Sequence, residues 1–501
     1  MPQTLTHRAD ITLQTAWSVG FESHAIDLSD QARARISHGR GAFERLLASD
    51  TPPYIYGSTT APGARAKTKL SDADQAKLVE LQNIWACREI GMGSKYIPEH
   101  ATRLILLARV ASYIEGNTAI SLPTAEWVAD LSRKPMGNIP LEAATGPGEV
   151  MPLSCLYPSD PWGITLQAGD IMALYNGSPC ATGLALDAAL IARRRPSLLQ
   201  QIMALVIEAA GAPLDAYDPA IAEVSTDPHM KTAIIQLNNH LQGVPRTGRL
   251  PHQAPVSWRI IPTILAAQIQ AVTLAEETAL HAIHSVAQNP LFVPPTPDHP
   301  DGRVLSNGGY HNQQASRAID GLNAAGADIC VLMGKQTARL MDGAPFGLPR
   351  LLVDPNSGVV GSEFIAWSQS GIVERARLAA TPATLPTGLE DPGGGQSDVA
   401  SPIFLAFERH LDICDAVTAS MSSLSIAMVQ TYRLSGRTPP DTLKPLHDAI
   451  SAQVIPFSTD RFVELGTSMR RLKDLFSDAL VGQGQISPLI RATCSDNSGP
   501  P

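Results

Sequence analysis

Tyr56 opens a loop of small and polar residues, Tyr56-Gly57-Ser58-Thr59-Thr60-Ala61-Pro62-Gly63. A phenol can give or take a proton, and glycines in the loop let its backbone approach a small ligand closely. Arg259, in Ser257-Trp258-Arg259, offers a planar guanidinium that grips a carboxylate through two parallel hydrogen bonds. Asn176 and Gln253 add amide groups, and Tyr310 and His311 fall in the polar, glycine-bearing stretch 306–313. Residues of these types can bind an acid and move a proton. Each residue also has a plainer reading. A tyrosine is usually core with its hydroxyl satisfied, an arginine often makes only a surface ion pair, and a histidine such as His311 can be structural.

Two further patterns carry less. Glu277, His281 and His284 fall at i, i+4 and i+7 of one helical face, an acceptable ligand spacing, but ordinary polar faces give the same pattern and no metal is expected. Gly393-Gly394-Gly395 is followed by no lysine and flanked by no strand–loop–helix pattern, so a mobile active-site loop suits it better than a phosphate cradle.

The elements that must position these groups are helical. From 263 to 287 there is no proline or glycine, and Leu265, Ile269, Val272, Leu280, Ile283 and Ala287 trace one face until Pro290 ends the run. A second long helix is expected over 312–341, with Gly321, Gly326 and Gly334 as weak points marking close helix approach, and a third over 403–434. A helix of about 25 residues is roughly 38 Å long and needs partners along its whole length, so a bundle is expected. Shorter helices are expected over 72–90, 99–115 and 179–194, among loops rich in Pro, Gly and Ser. The expected organisation is an N-terminal helical region (1–200), a long-helix bundle (201–485) and a frayed tail (486–501).

With 38 basic and 47 acidic side chains and no Lys/Arg cluster, neither nucleic acid nor a membrane is expected as partner. The start of the chain lacks the apolar stretch of a signal peptide, and a cytoplasmic enzyme is expected. The six cysteines are scattered without metal-like or disulfide-like spacing and read as reduced core or surface thiols.

Several short motifs, in order, resemble the histidine and aromatic amino acid ammonia-lyase family. The Tyr56 loop resembles its Y-G-V-N-T-G-F-G, and Leu81-Gln82-Asn83 with Gly91-Met92-Gly93 resembles its L-Q-x-N and later G-x-G. Asn176-Gly177, Gln253 with Ser257-Trp258-Arg259, Asn289-Pro290-Leu291 and the stretch 306–313 follow, then Gly347-Leu348-Pro349 and Gln396-Ser397-Asp398. The resemblance implies an all-α fold of the fumarase, aspartase and ammonia-lyase type, with a long central bundle and a smaller N-terminal helical region. It also implies a homotetramer whose sites draw on more than one chain. It places Tyr56 on the catalytic tyrosine, Arg259 on the arginine that binds the substrate carboxylate, and Asn176 on an asparagine lining the active site.

The first departure from the pattern falls at the family's cofactor loop. There an Ala-Ser-Gly triad cyclises and dehydrates into a methylidene-imidazolone, the electrophile that activates the departing amine. Aligned on Pro152-Leu153-Ser154, this chain has Gly146-Pro147-Gly148, and Pro147 has no hydroxyl to lose. Arg88 stands where the family has a histidine, Val256 replaces a tyrosine, and Ser397 replaces a glutamate. Arg88, Ser397 and His311 are carried as candidate substrate-binding positions, and Tyr310 joins Tyr56 as a candidate catalytic group. The expected function is a cofactor-independent, lyase-like enzyme acting on a carboxylate-bearing small molecule. A tyrosine would serve as acid or base for elimination, or for the reverse addition or ring closure. The alternatives are a non-catalytic homologue acting as a binding or partner subunit and, last, a weak ammonia lyase. The peptide carrying Gly146-Pro147-Gly148 should have its unmodified mass and no near-ultraviolet difference absorbance; a mass lower by two waters would refute this.

Overall fold

The computed structural model describes residues 2–85, 88, 90–142, 146–158, 163–250, 252–354, 356, 358–384, 398–457 and 463–490. It is 61% helix and 4% strand, an all-α fold. Among the described residues strand is confined to two small pairings, Gln3–Leu5 parallel to Ile26–Leu28 and Leu291–Val293 antiparallel to Arg303–Leu305. Ser397, Gln396, Gly393, Gly394, Gly395, Cys87 and Cys494 lie outside the described residues, as do 491–501 of the tail.

The three long helices run over Ile261–His284, Gln313–Asp342 and Ile403–Ser435. The first stops short of expectation. It ends five residues before Asn289, so Pro290 is not its terminator; Ser285 closes the last turn by donating from Oγ to the His281 carbonyl. Shorter helices occupy Asp72–Trp85, Glu99–Ala111 and Pro179–Ala192. The Ile403–Ser435 helix is long and apolar enough by composition to cross a membrane, but 83% of its apolar window is buried in the fold, as in a core helix.

The chain forms two compact units. One comprises Met1–Leu190, Ala275–Ile319 and Pro382–Glu408; the other comprises Ile191–Leu274, Asp320–Thr381 and Arg409–Pro501. In the first, the Glu99–Ala111 helix is buried from Ala101 onward except at Arg103. The helix beginning at Pro179 approaches it backbone to backbone at Gly183, where an added β-carbon would stand 2.5 Å from the Ile105 nitrogen. In the second, every residue of the Arg195–Ala209 helix except Ser197 is buried. Of the three glycines expected to mark close approach, Gly326 meets Ile413 and Gly334 meets Val373, at 2.3 and 2.9 Å from an added β-carbon, whereas Gly321 has nothing within 4 Å.

These spacings set opposite signs for one substitution. Gly183→Ala should destabilise by about 1–3 kcal/mol, because the neighbour it meets is backbone and cannot turn aside. Gly321→Ala should stabilise by about 0.5–1 kcal/mol through helix propensity alone. Urea midpoints of the two variants check both.

Candidate active site

In the first unit the candidate residues gather around one short helix, Asp170–Tyr175. Six residues do not make a helix that stands alone in water, so its position is set by its ends. At the start, the buried Asp170 carboxylate accepts hydrogen bonds from Ser121 N and Oγ, Thr124 Oγ1 and Gln167 N, at 2.7–2.9 Å. At the other end Arg109, fully buried, donates to the carbonyls of Ala173 and Asn176, both at 2.7 Å, and to Gln288 Oε1 at 3.0 Å. Gln288 in turn donates to the Met172 carbonyl at 2.6 Å. The Ala173 and Asn176 carbonyls, which the helix C-terminus leaves without a backbone partner, are thereby satisfied.

The candidate groups hang from this element. Asn176 caps it; the side-chain oxygen accepts from Gly177 N at 2.8 Å, while Nδ2 makes no hydrogen bond among the described residues. Gly148 lies against that side chain, since an added β-carbon would stand 2.9 Å from Asn176 Oδ1. Gly57, beside Tyr56, rests on Met172 in the same way, at 2.5 Å from its Cγ. The Tyr56 loop is tied by Ser58, Thr59 and Thr60 N–H groups donating to the Ile55 carbonyl, and Gly63 N donates to the Tyr56 hydroxyl at 2.9 Å. Beyond Asn176, Ser178 N donates to Ala287 O, and Ser178 Oγ reaches Gly309 O at 3.5 Å, next to half-buried Tyr310. His311 bonds Gln313 Oε1 at 3.1 Å. Arg88 belongs to this unit and is exposed.

Gln253 and Arg259 belong to the second unit, and both are exposed. Arg259 Nε donates to Ala254 O at 3.0 Å, and its terminal nitrogens make no hydrogen bond among the described residues. Val256, Ser257 and Ile260 line one side of a cavity of about 590 Å³ whose other side includes Asp328, Lys335 and Arg339. Among the described residues no group of three acids, histidines or cysteines is placed to hold a metal ion. His284 spends its Nε2 on the Ile11 carbonyl at 2.8 Å.

Two site residues escape a reading by motif. Arg109 is one; its sequence signal is a single charge inside the apolar run Leu104-Ile105-Leu106-Leu107-Ala108-Arg109-Val110. Glu149 is the other. It follows Gly148 in the left-handed region at φ 55°, and its carboxylate accepts from Cys180 N at 2.5 Å and Ala181 N at 2.8 Å, at the start of the Pro179–Ala192 helix. Burial pushes the carboxyl up to about 7, only partly offset by those two donors.

The profile described as aromatic amino acid lyase matches residues 11–157 and 161–454. A histidine ammonia-lyase of Deinococcus radiodurans is 26% identical over 408 residues, 75% of this chain and 76% of that one. Among solved structures, ergothionase of Treponema denticola, an ergothioneine-degrading enzyme, superposes with a TM-score of 0.84 at 16% identity, covering 95% of this chain and 99% of its own. A phenylalanine aminomutase of Pantoea agglomerans gives 0.83 at 19% identity, over 95% and 98%.

The buried Glu149 makes a signed prediction about pH. Its folded pKa of about 7 lies above the ordinary 4.5, so the folded state holds this proton more tightly than the unfolded chain. Its contribution to stability is therefore full below the ordinary value and lost as pH rises through 7. Up to about 3 kcal/mol should disappear over that window. Urea midpoints measured across the window should fall, and Glu149→Gln, which cannot titrate, should flatten that slope.

Proposed function

This chain belongs to the aromatic amino acid lyase family, and we propose that it eliminates, or adds in reverse, without the family's methylidene-imidazolone electrophile. The observation that carries the reading is Pro147. The methylidene carbon of that group is a side-chain carbon whose hydroxyl has left, whereas the β-carbon of Pro147 is tied into a ring and bears none. Gly146-Pro147-Gly148 therefore does not fit the group. The nearest hydroxyl in the loop, Thr145, lies outside the described residues. Its Ala144-Thr145-Gly146 setting supports a second reading, a displaced triad, which the loop's mass also tests.

Without an electrophile the substrate must bring its own leaving group. A primary amine is a poor one, but a quaternary ammonium leaves as a neutral tertiary amine and needs no proton. Ergothioneine, which the Treponema denticola enzyme degrades, is a betaine of that kind. The proposed substrates are carboxylic acids carrying such a group, or a comparable electron sink, next to an acidic C–H. Tyr56, as the phenolate, takes the carbon-bound proton and becomes the neutral phenol, and Gly63 N–H already donates to the oxygen that carries the charge before the transfer. The roles we assign are hydrogen-bond donation to the substrate by Asn176 Nδ2 and Gln253, proton transfer by Tyr310, and a grip on the carboxylate by the Arg259 fork. His311 and Arg88 are further substrate-binding candidates, as is Ser397, which lies outside the described residues. Because Val256, Leu274, Trp367 and Leu378 expose 54–75% of their surface, we further propose the homotetramer, in which such faces are covered.

The test is a substrate comparison with two variants. Histidine, phenylalanine and tyrosine should release no ammonia at a useful rate, whereas trimethylammonium acids of the same side chains should release trimethylamine. Tyr56→Phe should keep fold and affinity, because the Gly63 N–H it deserts is exposed to water, and should lose about 10²–10⁴ in turnover. Arg259→Lys should raise KM before kcat falls. Full activity of Tyr56→Phe, or robust turnover of the primary amino acids, would sink this reading.

A further inference from the structure

The second unit holds a cluster that the lyase reading does not use. Cys414 and His410 lie one turn apart on the Ile403–Ser435 helix, with Cys414 Sγ 3.4 Å from His410 Nε2. His410 Nδ1 is 2.9 Å from Asn323 Oδ1. From the Arg195–Ala209 helix, Arg195 Nη2 donates to the same sulfur at 3.2 Å. His410, Asn323 and Arg195 are buried, and Cys414 is partly exposed.

Arg195 is the informative member. Its Nε and Nη1 are buried with no hydrogen-bond partner, and no carboxylate pairs with it among the described residues. Glu208, near the other end of the same helix, shows the usual treatment of a buried charge: it is matched by Arg249 and by Arg437, at 2.8 Å. A buried guanidinium whose one acceptor is a sulfur is best compensated when that sulfur is a thiolate. Gly326, one turn from Asn323, leaves room for it, since an added β-carbon would stand 3.6 Å from Nη1.

We propose that Cys414 is a nucleophilic thiol held between Arg195 and His410, and a modification site for small soft electrophiles. Burial, and behind it the Arg195 charge, pushes the imidazole down to about 3, so it faces the sulfur neutral. Asn323 lets that ring serve either state. With the amide as placed, Nδ1–H donates to it and Nε2 accepts from S–H; a half-turn of the amide reverses both, and Nε2–H then donates to the thiolate. Lys473 and Arg375 pair with the neighbouring Asp415, and Arg375 also pairs with Asp412, so these acids present no unopposed negative charge to the site. In alkylation, the thiol proton goes to solvent, sulfur attacks the methylene of iodoacetamide, a C–S bond forms, and iodide leaves with the C–I electron pair.

The experiment alkylates the native full-length protein with iodoacetamide across pH 5.5–9 and follows each cysteine peptide by mass spectrometry, the range bracketing an ordinary thiol's value of about 8.5. Cys414 should label with a midpoint at least about one unit below that value. Cys330, buried and pushed up to about 11, should stay unlabelled as an internal control. Arg195→Gln should move the Cys414 midpoint up by about one unit or more. A wild-type midpoint at or above the ordinary value, no labelling of Cys414 in the assembled protein, or a folded Arg195→Gln with an unchanged midpoint would overturn the proposal. Should that variant fail to fold, the wild-type profile decides alone.

Discussion

The geometry of the first unit's site depends on one buried guanidinium. Arg109 holds the end of the Asp170–Tyr175 helix by two carbonyls, and Gln288, bonded to it, holds a third. The helix is too short to persist by itself, so this clamp and the ring of donors on Asp170 decide where Asn176 stands. Asn176 then limits how close the Gly148 backbone can come, and Met172 limits Gly57 beside Tyr56. Removing the guanidinium would take a donor from two buried carbonyls and from the Gln288 amide oxygen at once. A loss of this kind costs far more than the net worth of any one bond.

Where structure was legible in the sequence follows from the same division. The long helices were readable because an apolar face repeats over twenty or more residues, and such a signal survives local exceptions. Their ends were not, as Pro290 shows: the Ile261–His284 helix closes earlier because a serine hydroxyl takes a last-turn carbonyl. Glycine alone was ambiguous as well. Gly326 and Gly334 mark close approach and Gly321 does not, a difference made by residues distant in sequence. At the site, Tyr56 and Asn176 stood out through motifs that include a glycine; Gly57 rests on Met172 of the short helix, whereas Gly177 lies against Ala287 and Gln288. Arg109 and Glu149 did not, because their importance comes from burial and from partners up to 179 residues away.

The loop around Pro147 illustrates how a polar group can lock backbone that propensity would not choose. Gly148 adopts φ 69° without penalty, but Glu149 follows at φ 55°, where a side chain costs about 1 kcal/mol or more. The compensation lies in the two N–H groups at the start of the helix beginning at Pro179, which have no partner within that helix and find one in the Glu149 carboxylate. The same burial that makes those bonds strong penalises the charge they favour, and the balance leaves the group near neutrality at about 7. Proton loss from Glu149 would strengthen its grip on the helix while exposing the fold to the cost of a buried charge. Gly148 precedes this residue and faces Asn176 so closely that only a residue without a side chain fits: an added β-carbon would stand 2.9 Å from Asn176 Oδ1.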